Sequence, residues 1–173
     1  MDYSHRLADF LREQAQWRRD VAKRHDDGGS LDSARGFDKA ALEIEQIDDD
    51  HPWIALLVDE GWLTAAGFQP EGEPASRYLR QFNRYEDTTS EQLLFSLAIF
   101  AGGDDVWRGY ATSLKGRAAK FDLVLTPLRP QDTRRPQWES YSLRTRMGIE
   151  RIEQDTLVAL DRYLRSLEVV TAR

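Results

Sequence analysis

Histidine is the side chain best suited to metal binding or proton transfer near neutral pH, and this chain has three: His5, His25 and His51. No two of them sit three or four residues apart, and neither HExxH nor a Glu-x-x-His pair occurs. The spacing therefore predicts neither a zinc nor a di-iron site. His5 reads as a surface residue of a first helical turn, and His25 as a favourable cation at a helix C-terminus. The densest acidic cluster is Asp48-Asp49-Asp50-His51. Its carboxylates would suit Mg²⁺ or Ca²⁺, but the alternating ligands and internal glycine of an EF-hand loop are missing. A polar turn beside the N-terminus of the next helix is the favoured reading.

Glu150, Glu153 and Asp155 invite an acid/base pair. Arg146 precedes Glu150 by four residues, and Arg151 precedes Asp155 likewise. That pattern predicts solvated ion pairs on an exposed helix face. Gly102-Gly103 lacks the spaced glycines and lysine of a phosphate loop, and no GxSxG occurs. With no cysteine in the chain, thiolate nucleophiles and disulfides are excluded. The expectation is no catalytic residue, no metal and no cofactor.

Charge is distributed unevenly. The net charge is -6, but residues 38–75 hold ten acids against Lys39 alone, whereas residues 76–148 hold twelve bases and eight acids. Two such segments can mate within a chain or between subunits. The basic stretch includes Arg108, Lys115, Arg117, Lys120, Arg134 and Arg135, with Trp138 close to the last pair. Arginines beside an aromatic can contact phosphates and stack on an unpaired base. Arg117, Lys120, Arg134 and Arg135 are therefore the candidate nucleic-acid contacts. The competing reading, favoured by the overall acidity, is that these cations pair with the acidic 38–75 segment.

The elements that must position these groups are helical by pattern. Tyr3, Leu7, Phe10, Gln14, Trp17 and Val21 step at helical spacing, as do Ile149, Ile152, Thr156, Leu160, Tyr163, Leu167 and Val170. A first helix is predicted from Asp2 or Ser4 to His25, ended by Asp26-Asp27-Gly28-Gly29. A second runs from Ser30 or Asp32 to Ile47, and a third from Pro52 to Glu60 with Trp53, Leu56 and Leu57 inward. Residues 62–73 read as a connection, 74–85 as a fourth helix, and the stretch from Ser90 as a buried fifth. A sixth is capped by Asp104 and carries Trp107, Ala111, Leu114, Ala118, Phe121 and Leu125 on one face. Leu123-Val124-Leu125 resembles a strand, but one short strand would lack a partner. The last helix is predicted over 138–170.

The chain of 173 residues thus reads as one α-helical domain over 1–173, a bundle of six or seven helices with a long C-terminal helix. Its longest apolar run, Leu93 to Ala101, is too short to span a bilayer. The N-terminus shows no signal-peptide pattern, and the absence of cysteine suits the cytoplasm. The expected function is non-enzymatic: a helical interaction or scaffold protein, acting as a homo-oligomer or as a small subunit of a larger assembly. Its partner would be itself or another protein rather than a membrane. Trp138, Tyr141, Met147, Ile152 and Tyr163 form the candidate interaction surface. A nucleic-acid-associated subunit is the alternative. A small-ligand-binding bundle is a third reading, resting only on aromatic content.

Overall fold

A computed structural model describes residues 2–69, 89–128 and 140–173. The fold is mostly helical with a small antiparallel component, and the chain divides into two compact units, Met1–Gly102 and Gly103–Arg173.

In the first unit, α1 (Tyr3–His25) and α2 (Gly28–Ile44) form a helical hairpin. Asp2 caps α1 by accepting the His5 N–H, and Asp26 in the left-handed conformation closes it. Asp27 then caps α2, so Gly28 and Gly29 open the second helix instead of merely ending the first. The buried face of α1 runs through Leu7, Ala8, Leu11, Ala15, Arg18 and Ala22. It is rotated from the stripe of large residues, and Trp17 is half exposed. Alanines allow the two helix axes to approach closely, which displaces the bulky side chains to the flanks. Arg18 packs its guanidinium over the Phe37 ring at 5.0 Å and the Trp17 ring at 5.4 Å.

Helix α3 (Pro52–Asp59) has Pro52 in its first turn, and His51 Nδ1 accepts the Trp53 N–H at 3.2 Å. It buries Ile54 and Leu57, with Trp53 and Leu56 only half-buried. A two-strand hairpin follows, β1 (Leu63–Thr64) and β2 (Gly67–Phe68), where a plain connection was expected. The predicted helix over 74–85 lies outside the described residues. Helix α4 (Ser90–Gly102) is buried on all sides from Gln92 to Ile99, as its unbroken apolar run predicts.

The second unit corrects the all-α expectation. Helix α5 (Asp104–Ala119) leads through Asp122, in the left-handed region at φ 59°, into β3 (Leu123–Pro127). Strands β4 (Tyr141–Thr145) and β5 (Glu150–Asp155) complete a three-stranded antiparallel sheet in the order β3-β4-β5. The partner that Leu123-Val124-Leu125 needed is β4, with Leu125 opposite Leu143. Phe121 and Leu125 therefore lie on a turn and a strand instead of continuing the α5 face. The C-terminal helix, α6, spans only Leu157–Thr171. Tyr141, Met147 and Ile152 sit on a β-hairpin instead of a long helix, and the proposed Arg146–Glu150 and Arg151–Asp155 helix pairs lose their geometry. The helical period was misleading because β4 and β5 are irregularly registered. Leu143 pairs with Ile152 and Arg144 with Glu150. Such a bulge breaks the strict alternation by which a strand is recognised.

Candidate interaction surface

Both helices of the second unit are clamped by polar contacts. The Trp107 indole N–H donates to the Tyr141 hydroxyl at 3.2 Å, and both residues are fully buried. This bond ties α5 to β4 and satisfies two polar atoms that would otherwise be costly to bury. Between α5 and α6 stands Asp161, whose side chain is 4% exposed. Its Oδ1 accepts from Arg117 at 2.7 Å and from Arg165 Nε at 3.2 Å. Its Oδ2 accepts from the Tyr110 hydroxyl and from a second Arg165 nitrogen at 2.8 Å. Arg117 also grips Glu168 through two nitrogens, at 2.8 and 3.1 Å.

The electrostatics follow from these contacts. Burial alone would push the Asp161 carboxyl up. The hydrogen bonds from Arg165, Tyr110 and Arg117 outweigh it and hold the group below the ordinary carboxylate range. Arg117 is held more basic than usual, chiefly by its bond to Glu168. A carboxylate kept ionised and engaged at both oxygens is a poor proton acceptor. The cluster joins α5 to α6.

The acidic cluster of the first unit has a similar use. Asp49 accepts the backbone N–H of Tyr3 at 3.0 Å and of Ser4 at 2.9 Å, capping α1 from 45 residues away. Burial raises the Asp49 pKa, and these N–H donors more than reverse it. The turn organises two helix ends: the carboxylate of Asp49 serves α1 and not the α3 N-terminus the sequence pointed to, which His51 caps instead. Among the described residues, no three His, Cys, Asp or Glu side chains could hold a metal together.

The sequence-derived surface residues are dispersed. Tyr141 is fully buried and belongs to the clamp. Ile152 and Tyr163 are half-buried, on β5 and α6. Met147 is 90% exposed, and Trp138 lies outside the described residues. Of the nucleic-acid candidates, Arg117 is bound to Asp161 and Glu168. Lys120 is exposed just beyond α5, and Arg134 and Arg135 lie outside the described residues. Two cations of the basic segment pair within the second unit, Arg117 with Asp161 and Glu168 of α6 and Arg146 with Asp122 at 2.9 Å. Glu45 and Asp38 pair with Arg12 and Arg19 of α1.

Sequence reasoning missed Asp161 as the centre of the clamp. The signal was present: Leu157, Asp161 and Leu164 share one helical face, and a charge on an apolar face needs a buried partner.

The β4–β5 turn carries apolar side chains into solvent. The turn joining β4 to β5 is set by Gly148 at φ +84°, by Gly148 N–H to Thr145 O at 2.9 Å, and by Ile149 N–H to the Thr145 hydroxyl at 3.1 Å. This well-bonded turn holds Met147 in solvent, with Ile149 60% exposed beside it. No protein-family model matches the chain, and no match is found among the curated proteins or the solved structures.

Proposed function

We propose that this protein works by contact, as a homo-oligomer or as a small subunit of a larger assembly, and carries out no chemistry of its own. The observation that supports the reading most directly is the exposure of Met147, Ile149, Val169 and Val170 in the second unit. Large apolar side chains held in solvent on ordered backbone are the raw material of interaction surfaces. The titratable groups brought together in the two units support the same reading, since Asp161, Glu168 and Asp49 are all engaged in joining elements. Arg117 is engaged in the same way, which weighs against its use on phosphate.

The test is light scattering coupled to size exclusion on untagged protein, with absorbance at 260 and 280 nm and at two salt concentrations. The reading expects a nucleic-acid-free peak above 20.0 kDa, or a stable complex with another protein. A 260 nm excess that disappears at high salt would replace it with the nucleic-acid reading.

A further inference from the structure

We infer that His51 is a proton-operated cap on α3: the first turn of that helix holds while the imidazole is neutral and loosens when the ring takes a proton. The capping bond itself fixes the state of the ring. A backbone N–H can only donate, so the Nδ1 that accepts the Trp53 N–H at 3.2 Å carries no proton. The one ring proton of this state therefore sits on Nε2. The usual capping side chains, Ser, Thr, Asp and Asn, offer an oxygen that stays an acceptor through the neutral range. An imidazole does not, because its charge changes at about pH 6.5. Once Nδ1 is protonated, two N–H groups point at each other, and a cation stands at the positive end of the α3 dipole. The bond is then lost, and the ring must turn away from the helix.

The charges of the described elements draw that proton on. The turn before His51 carries Asp48 and Asp50, both exposed, and Asp49, whose carboxylate is committed to the Tyr3 and Ser4 N–H groups. The α1 end that Asp49 reaches carries Arg6 and the bonded pair Asp2 and His5. Helix α3, strand β1 and helix α4 contain no cation, and their only carboxylates are Asp59, at the far end of α3, and Glu91 of α4. Acidic surroundings favour the imidazolium while the cap geometry opposes it, and the ring satisfies both only by leaving the cap. What the cap holds is an aromatic stack. The His51 ring lies 5.3 Å from the Trp53 ring, which in turn lies 5.1 Å from the fully buried Phe95. Pro52 has no N–H to offer, so the Trp53 amide is the first donor of α3, and His51 is its acceptor.

The experiment follows the full chain by NMR at about pH 8 and about pH 5, on either side of the ordinary imidazole titration. It reads the His51 ring nitrogens and the exchange protection of Trp53 and Ala55, whose N–H groups bond to His51, corrected for the intrinsic pH dependence of amide exchange. The expected result is an Nε2–H ring at the higher pH and an imidazolium at the lower, with protection falling on the order of 5-fold, the worth of one cap. Amides of α2 are the control for global unfolding and should keep their protection. His51→Asn, which caps through an oxygen and does not titrate, should hold equal protection at both pH values, and His51→Ala should be poorly protected at both. Equal protection of the wild type at the two pH values overturns the inference, whether or not the ring takes its proton. So does an Nδ1–H ring at the higher pH. A His51→Asn chain that loses protection as the wild type does also overturns it, since the carboxylates would then own the change.

Discussion

In the first unit, α1 and α2 meet through small apolar residues. Ala8, Ala15, Ala34 and Ala41 are buried in one cluster with Leu7, Leu11, Phe37 and Ile44, and the ion pairs Arg12–Glu45 and Arg19–Asp38 are partly exposed. In the second unit, α5 and α6 meet around a buried carboxylate held by two arginines and a tyrosine. The difference is one of tolerance. Close-packed alanines fail by overpacking or by cavities, and they respond little to pH. A buried ion cluster fails when one partner is lost, because the remaining charges stay partly desolvated. Among the described residues, the unit whose helices need a polar clamp also holds six of the nine exposed large apolar side chains.

The sharpest way to break this comparison is to remove each unit's largest anchor. Trp107→Ala deletes a fully buried ring and orphans the Tyr141 hydroxyl, and should cost about 3–5 kcal/mol in urea unfolding of the second unit. Leu11→Ala in the first unit should cost about 2–4 kcal/mol. Asp161→Ala comes next. Arg117 and Arg165 reach water through side chains 25% and 47% exposed, so the expected cost is about 2–3 kcal/mol, below that of a fully enclosed pair.

The same residue predicts a pH dependence at the α5–α6 contact, as Asp49 does at the N-terminus of α1. Asp161 titrates below its ordinary 3.8 when folded, so its stabilisation is present above that pH and is lost as pH falls through the lower folded value. An acid unfolding series should therefore show the α5–α6 contact weakening as Asp161 protonates, and Asp161→Asn should flatten that dependence while lowering stability at neutral pH. The smallest effects are expected at the helix caps and the rim. Asp49→Ala should cost about 1 kcal/mol by uncapping α1. Arg19→Ala should cost less than about 1 kcal/mol, as befits a solvent-facing pair.

The first unit was largely legible in the sequence, and the second was not. The limits of α1 follow from Asp2 and the Asp26-Asp27-Gly28-Gly29 break, α3 from His51-Pro52, and α4 from its unbroken apolar run. Even there the core face was misjudged, because Tyr3, Phe10 and Trp17 outweigh alanines in a pattern while alanines make the contact. In the second unit, Ile149 and Ile152 lie three residues apart and continue into a genuine helical stripe from Leu157. Period alone cannot separate a bulged hairpin from a helix over so short a span. Gly148 was the available sign, since at φ +84° it makes a tight turn instead of a bend in a helix. The candidate surface residues read from the sequence do not share one environment. Met147 stands in solvent, whereas Tyr141 is drawn inside by the hydrogen bond from Trp107, which no linear pattern reveals.

The most direct test of the contact account is hydrogen–deuterium exchange on the wild-type chain at low and high protein concentration. The account predicts that amides of residues 146–151 and 167–172 exchange more slowly as concentration rises, while those of α1 and α2 do not change. Unchanged exchange at the 146–151 turn, or protection confined to the first unit, would contradict it.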